Sequence, residues 1–405
     1  MRVRLALILG VLHAFVDAAT VTVLFRATTV DGLGPGTVFV AVLGYDLVAF
    51  GLQPLLGWVQ DRFATPRTAM VAGLGFTLGS IVVLEAVSLT GRMTAGAVSL
   101  ATTGSAAAVI LAGLGNAMFH LGAGAQVLRQ GLSRAAPAGL LVAPGALGLA
   151  LGVWFGKQPS AGPAWLIGLP VLVAVGVVVS LRVPQWSPTA VSAGDHRPLL
   201  GVPQEPGARR RVTSGSGLSA TSFGYAALAL LMTSIAVRSL VGGSASRGYH
   251  VGAWLLVGIP LVAFAGKALG GILADRFGWV RTTVTALLVS APLLAFTYPH
   301  PTMLLAGLLG FQMTMPVTLV AIARLMPDRL ATGFGLTCLA LIVGGLPTMF
   351  PWGAALGAKP ILGLWIVISA AAAWGGLRLI GLTWRRRPEL VAGRASRLPD
   401  EAAQA

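Results

Sequence analysis

The chain has 405 residues, of which 56% are hydrophobic and only 10% charged, with a mean hydropathy of +0.84 and a formal charge of +16. A soluble domain carries about 25% charged residues, so this composition excludes one. Apolar runs of about 20 residues that lack the two-residue alternation of barrel strands exclude a β-barrel and predict an all-α integral membrane protein.

Twelve apolar segments follow one another, at about 4–25, 36–59, 68–90, 102–127, 136–156, 164–182, 218–241, 251–274, 282–298, 302–324, 332–352 and 360–381. The first has no small-residue cleavage site and contains His13 and Asp17, so it reads as a retained helix and not a removed leader. Residues 183–217 are rich in Pro, Gly, Ser and Arg, the composition of a flexible linker, and residues 382–405 read as a polar tail. The expected organisation is a six-helix bundle at 1–182, a linker at 183–217, a second six-helix bundle at 218–381 and a tail at 382–405.

Of the 28 Lys and Arg residues, 21 fall on the side of the N-terminus, five on the other side, and Arg238 and Lys267 inside apolar runs. That bias predicts both termini in the cytoplasm. The basic excess is therefore topology, with attraction to anionic lipid, and not nucleic-acid binding. Arg in place of Lys, with abundant Ala and Gly, points to the cytoplasmic membrane of a bacterium with a GC-rich genome. The single cysteine, Cys338, excludes an intramolecular disulfide, and no His/Cys cluster has metal spacing. No Walker A pattern and no Ser/His/Asp set with a scaffold are present. Neither an ATP-driven pump, an enzyme, nor a bound metal or other cofactor is expected.

One charged phrase occurs twice: GWVQDRFATPR at 57–67 and GILADRFGWVR at 271–281, each after the second helix of a half. Arg62 corresponds to Arg276, Phe63 to Phe277 and Arg67 to Arg281, which marks an internal duplication. Asp61 and Asp275 stand at helix C-termini, where their own dipole disfavours them. Each needs an outside partner, an Arg or another helix's N-terminus, and Gly57 and Gly271 let a neighbour come close enough to supply it. The pair reads as two conformational latches; the plainer alternative is two loops that merely turn the chain.

These residues resemble the major facilitator superfamily, whose signature loop runs Gly-x-x-x-Asp-Arg-x-Gly-Arg. The second copy carries Gly271, Asp275, Arg276, Gly278 and Arg281, whereas the first has Ala64 in place of the second Gly. Further stretches, LQPLLGWVQDR (52–62), NAMFHLGAG (116–124), PGALGLALG (144–152) and ARLMPDRLATGFGL (323–336), resemble its fosmidomycin-resistance-type branch. That branch implies Pro and an acidic residue after Phe-His; Leu121 and Gly122 follow Phe119 and His120 here, so a fourth-helix carboxylate is missing. The resemblance implies twelve helices in two pseudo-symmetric bundles around a central cavity and transport by alternating access. Gly145, Gly148 and Gly152 form a stripe on the fifth helix, similar to the motif of superfamily exporters or, equally, ordinary small-residue packing.

Ionisable residues inside apolar runs persist only when buried, paired or functional. His13 and Asp17, one turn apart, suit a proton relay or a static pair; Asp46 is a second proton-carrier candidate. His120, with Phe119 before it, is a candidate solute contact, as are Arg238 and Lys267, which could instead neutralise Asp17 or Asp46. Glu85 can reach the interface, and Gln53 with Pro54 fits a helix bend. The expected protein is a monomeric, proton-coupled exporter of a small molecule, with protons and lipid as its other partners. Uptake of a small anionic metabolite, or a sensor of the same fold, are the alternatives.

Overall fold

The computed structural model describes residues 2–30, 35–93, 98–158, 163–183, 220–247, 249 and 252–385. The expected linker beyond residue 183 and the tail from residue 386 lie outside them. Among the described residues the chain is helical, without strands: α1 (Arg2–Val30), α2 (Pro35–Asp46), a π-helix (Leu47–Gly51), α3 (Gln53–Phe63), α4 (Pro66–Met93), α5 (Val98–Gln130), α6 (Ala136–Val142), α7 (Gly145–Lys157), α8 (Pro163–Arg182), α9 (Ala220–Ser244), α10 (Ala253–Phe277), α11 (Trp279–Phe296), α12 (Pro301–Gln312), α13 (Met315–Leu325), α14 (Leu330–Gly345), a 3-10 turn (Leu346–Met349), α15 (Gly353–Leu356) and α16 (Lys359–Arg385). Eleven spans among the described residues are apolar and long enough to cross a membrane. The 20 residues of α8, with Arg182 as their only charge, stand where the sixth expected helix falls.

Three expected helices are broken, each at a proline. The second becomes α2, the π-helix and α3, because Pro54 has no N–H to return to the Phe50 carbonyl. Leu52 N bonds Leu47 O at 2.9 Å instead, and Gln53 Nε2 donates to Ala49 O at 2.7 Å. The fifth divides into α6 and α7 before Gly145, at Pro144, and the tenth into α12 and α13, just ahead of Pro316.

Lipid is as apolar as a leucine side chain, so membrane helices associate by close packing and not by exclusion of water. The glycine stripe of α7 supplies it against α1. A Cβ at Gly148 would run into the Ala14 backbone, and one at Gly152 would lie 2.8 Å from both Ala18 O and Val21 Cβ. Two apolar cores stay within one half each, around Tyr45 and Leu84 and around Leu287 and Ile366. Two others cross between halves, joining Leu128 to Leu319 and Phe334, and Ala135 to Val317 and Ala321. The halves share packing at the end that carries Asp61 and Asp275 and keep separate cores at the other.

Candidate functional site

Between the halves lies a cavity of about 160 Å³. Its first-half wall carries His13 and Asp17 from α1 and His120 from α5; its second-half wall carries Arg238 from α9 and Lys267 from α10.

On the first wall, His13 Nε2 meets Asp17 Oδ2 at 3.1 Å, as the one-turn spacing requires. His120 Nε2 comes to Oδ1 at 3.6 Å, and Asn116 Nδ2 donates to the same oxygen at 2.8 Å. All four side chains are buried. Both imidazoles are tied from behind: His13 Nδ1 lies 2.8 Å from Leu141 O, and His120 Nδ1 lies 2.7 Å from Asn116 O. A carbonyl only accepts, so both Nδ1 atoms donate. Each ring therefore faces Asp17 with Nε2, which in a neutral imidazole is an acceptor. Acceptor meets acceptor twice unless a proton sits on Nε2 or on the carboxyl group. A proton shared among these groups relieves the conflict. Gly145 makes room for it, since a Cβ there would sit 2.6 Å from His13 Nε2 and 2.7 Å from Asp17 Oδ2.

On the opposite wall, Arg238 is 6% exposed, and its Nη1 donates to Thr318 Oγ1 at 3.2 Å and Thr314 Oγ1 at 3.5 Å. Neither Arg238 nor Lys267 has a carboxylate within ion-pair distance among the described residues, and Lys267 Nζ has no hydrogen-bond partner there. Of the alternatives considered for these cations, a direct ion pair with Asp17 or Asp46 is not formed, although Asp17 acts electrostatically on Lys267. Two imidazoles and an amide surround Asp17 instead, because α5 packs closer to it than α9 or α10.

The duplicated loops lie at the end where the halves share packing. Asp61 accepts from Ala331 N at 3.1 Å, Thr332 N at 2.8 Å and Thr332 Oγ1 at 2.8 Å, at the N-terminus of α14. Asp275 accepts from Ala135 N at 2.7 Å and Ala136 N at 2.9 Å, at the N-terminus of α6, and from Trp279 Nε1 of its own half at 3.2 Å. Of the two partners considered, the helix N-terminus supplies the hydrogen bonds, and its free N–H groups and positive dipole end suit a carboxylate. The close approach is visible at Gly57, where a Cβ would lie 2.6 Å from Ala331 O, and at Gly271, 2.7 Å from Ala135 O. Arg62 and Arg276 turn to the rings of Phe63 and Phe277, and Arg67 bonds Leu181 O and Val183 O at the end of α8. Arg281 is exposed. Arg129 and Arg324 stand close enough to act electrostatically on Asp61 and Asp275 respectively.

Two expected site residues lie elsewhere. Phe119 is fully buried in the core and is not among the residues that line the cavity. Neighbouring residues on an α-helix point about 100° apart, and the cavity takes His120 but not the residue before it. Asp46 is half-buried on α2, outside the cavity lining, and Glu85 is likewise apart from it. Asn116 went unpredicted although it precedes His120 by one turn, a spacing that puts both on one face.

His13, Asp17 and His120 also offer three ligand atoms within 4.8 Å of one another, a donor set a transition metal accepts. The sequence concealed it because the third ligand comes from another helix. Across the cavity Arg238 and Lys267 oppose a divalent cation, so the arrangement suits a proton better.

No family model and no curated protein matches the chain. Solved structures do. The E. coli fucose:proton symporter FucP aligns with a TM-score of 0.64 at 14% identity, over 93% of this chain and 98% of that one. The human organic anion transporter MFSD10 aligns with a TM-score of 0.59 at 17% identity, over 92% and 99%. A bacterial homologue of the iron transporter ferroportin, in an outward-facing state, aligns at 0.59 and 13%, over 95% and 100%. The chain has the fold of the major facilitator transporters.

Proposed function

We propose that the protein is a proton-coupled secondary transporter of the major facilitator type, in which the two halves expose the central cavity alternately to the two sides of a bacterial cytoplasmic membrane. The observation that carries this reading is the His13–Asp17–His120 cluster: two imidazole nitrogens fixed as acceptors against one carboxylate, inside the cavity between the halves. Asp17 with its two histidines holds the proton, and the membrane potential then supplies about 2.3 kcal/mol per charge per 100 mV. The Asp61 and Asp275 latches hold the cytoplasmic side shut while the other side is accessible, in keeping with the basic bias of that face. The narrower likeness to the fosmidomycin-resistance type, carried by Gln53, Pro54 and Phe119-His120, belongs to this proposal too.

The solute is small. Sites for drug-sized ligands run to about 300–1,000 Å³, against about 160 Å³ here. The glycine stripe that resembles an exporter motif serves here to seat α7 on α1 and the proton cluster, so the proposal carries coupling and not direction. The test is reconstitution into vesicles containing a pH-sensitive dye, with gradients of sugars, carboxylates and amines applied in turn. At least one gradient is expected to move protons in the wild type and none in Asp17→Asn. Solute accumulation without proton movement, or an unaffected Asp17→Asn, refutes the coupling; a panel that moves nothing favours the sensor alternative.

A further inference from the structure

We propose that the solute is a small monocarboxylate with an apolar body, its carboxylate held between Arg238 and Lys267. The inference rests on the transporter reading only in placing the solute in this cavity.

Two cations line the cavity from successive helices and, among the described residues, neither has a carboxylate within ion-pair distance, although Asp17 across the cavity acts electrostatically on Lys267. A buried, unpaired cation is costly, and one that is kept implies an anion that comes and goes. The guanidinium is already oriented for it. Thr314 and Thr318 hold Nη1 from one side, while the Nε–Nη2 edge has no hydrogen-bond partner among the described residues. That edge is the planar fork that takes two carboxylate oxygens at once, and an ammonium beside it adds a third donor.

The rest of the wall limits the remainder of the ligand. Phe50, Leu149, Met315, Leu319 and Leu341 are apolar, and the Thr337 hydroxyl is already donating to Phe334 O at 2.6 Å. A sugar would leave its hydroxyls unpaired against these walls, and an amine would be repelled by both cations. A single carboxylate also costs less to bury than a doubly charged phosphonate. Coupling follows from electrostatics. A proton on the opposite cluster adds positive charge to the cavity, so anion and proton each tighten the other's binding, which drives both in one direction.

The experiment is binding to the detergent-purified, full-length protein, read by thermal unfolding and by equilibrium binding of the labelled acid. The probes are acetate, pyruvate, butyrate, benzoate and phenylacetate, set against benzamide, benzylamine, phenylphosphonate and glucose. At least one carboxylate is expected to bind and stabilise while its amide and amine do not. Arg238→Gln should weaken it by about thirtyfold or more. Should that variant fail to fold, Lys267→Gln against Lys267→Arg asks the same question, with loss in the first and retention in the second. The proposal is overturned if no carboxylate binds, if benzamide matches benzoate, or if the phosphonate or the sugar binds in their place. Binding is read without proton flux, so the two readings fail separately. A carboxylate that binds but moves no proton removes the coupling, and a sugar that moves protons while no carboxylate binds removes the anion.

Discussion

The two ends of the internal repeat have been treated in opposite ways. On the closed face the copies still match: Asp61 sits on the N-terminus of α14 and Asp275 on that of α6, each beneath a glycine that lets the other half approach. In the cavity they have diverged. Helix α1 brings His13 and Asp17, whereas its repeat partner α9 brings Arg238, and the position of Gln53 in one half corresponds to Lys267 in the other. Symmetry survives where both halves make one contact, a carboxylate on the other half's helix N-terminus. It is lost in the cavity, where the proposed function gives the walls different jobs, a proton on one and a solute on the other.

The largest expected effect comes from erasing the proton wall. Asn at position 17 can still donate to one histidine Nε2, so the fold should persist, but it cannot carry a proton. We expect Asp17→Asn to reduce solute-driven proton movement to background in reconstituted vesicles while unfolding near the wild-type temperature. A somewhat smaller effect comes from the glycine stripe, whose members touch different things. A methyl at Gly145 meets His13 and Asp17 first, whereas one at Gly148 meets the Ala14 backbone first. Overpacking of this kind costs about 1–3 kcal/mol. Gly145→Ala should impair proton movement more than stability, and Gly148→Ala the reverse, read by flux and thermal unfolding on the same preparations.

How much of this was legible in the chain follows from distance along it. Hydropathy runs placed the helices, since a membrane span is a local property. The duplicated loops were legible because an eleven-residue phrase recurs, and the His13–Asp17 pair because it spans one turn. Asp17's other partners were not, because His120 and Asn116 reach it only through the packing of α5 on α1, which no local spacing encodes. For the same reason the sequence left open whether Arg238 and Lys267 pair with Asp17 or meet a solute: charge matching works without a map, and packing puts no direct ion pair between them. Phe119 was misplaced for the converse reason, as adjacency to His120 in sequence sets it on a different side of the helix. The breaks at Pro54, Pro144 and Pro316 were locally written, and apolar runs alone do not register them.

The smallest effects lie within the closed face and test how equal its two latches are. Asp61 is half-buried and takes three hydrogen bonds from the other half, while Asp275 is exposed and takes two. Hydrogen bonds to a charged group contribute about 1.5–3 kcal/mol when shielded, and exposed charge pairs about 0–1 kcal/mol. Asp61→Ala should therefore shift the closed–open balance by about 2 kcal/mol or more, and Asp275→Ala by about 1 kcal/mol. Spin labels at Thr65→Cys and Arg329→Cys, exposed positions on opposite halves, report the shift as longer distances once the buried Cys338 is replaced by Ala. The extra bond on the Asp61 side is the Thr332 hydroxyl. Thr332→Val removes it and leaves both backbone donors, so it should lower that latch by about 1 kcal/mol or less and bring the two closer to equality. A distance distribution unmoved by Thr332→Val but moved by Asp61→Ala would assign the difference to burial alone. Movement in both would assign part of it to the hydroxyl, the one cross-half bond the second copy lacks.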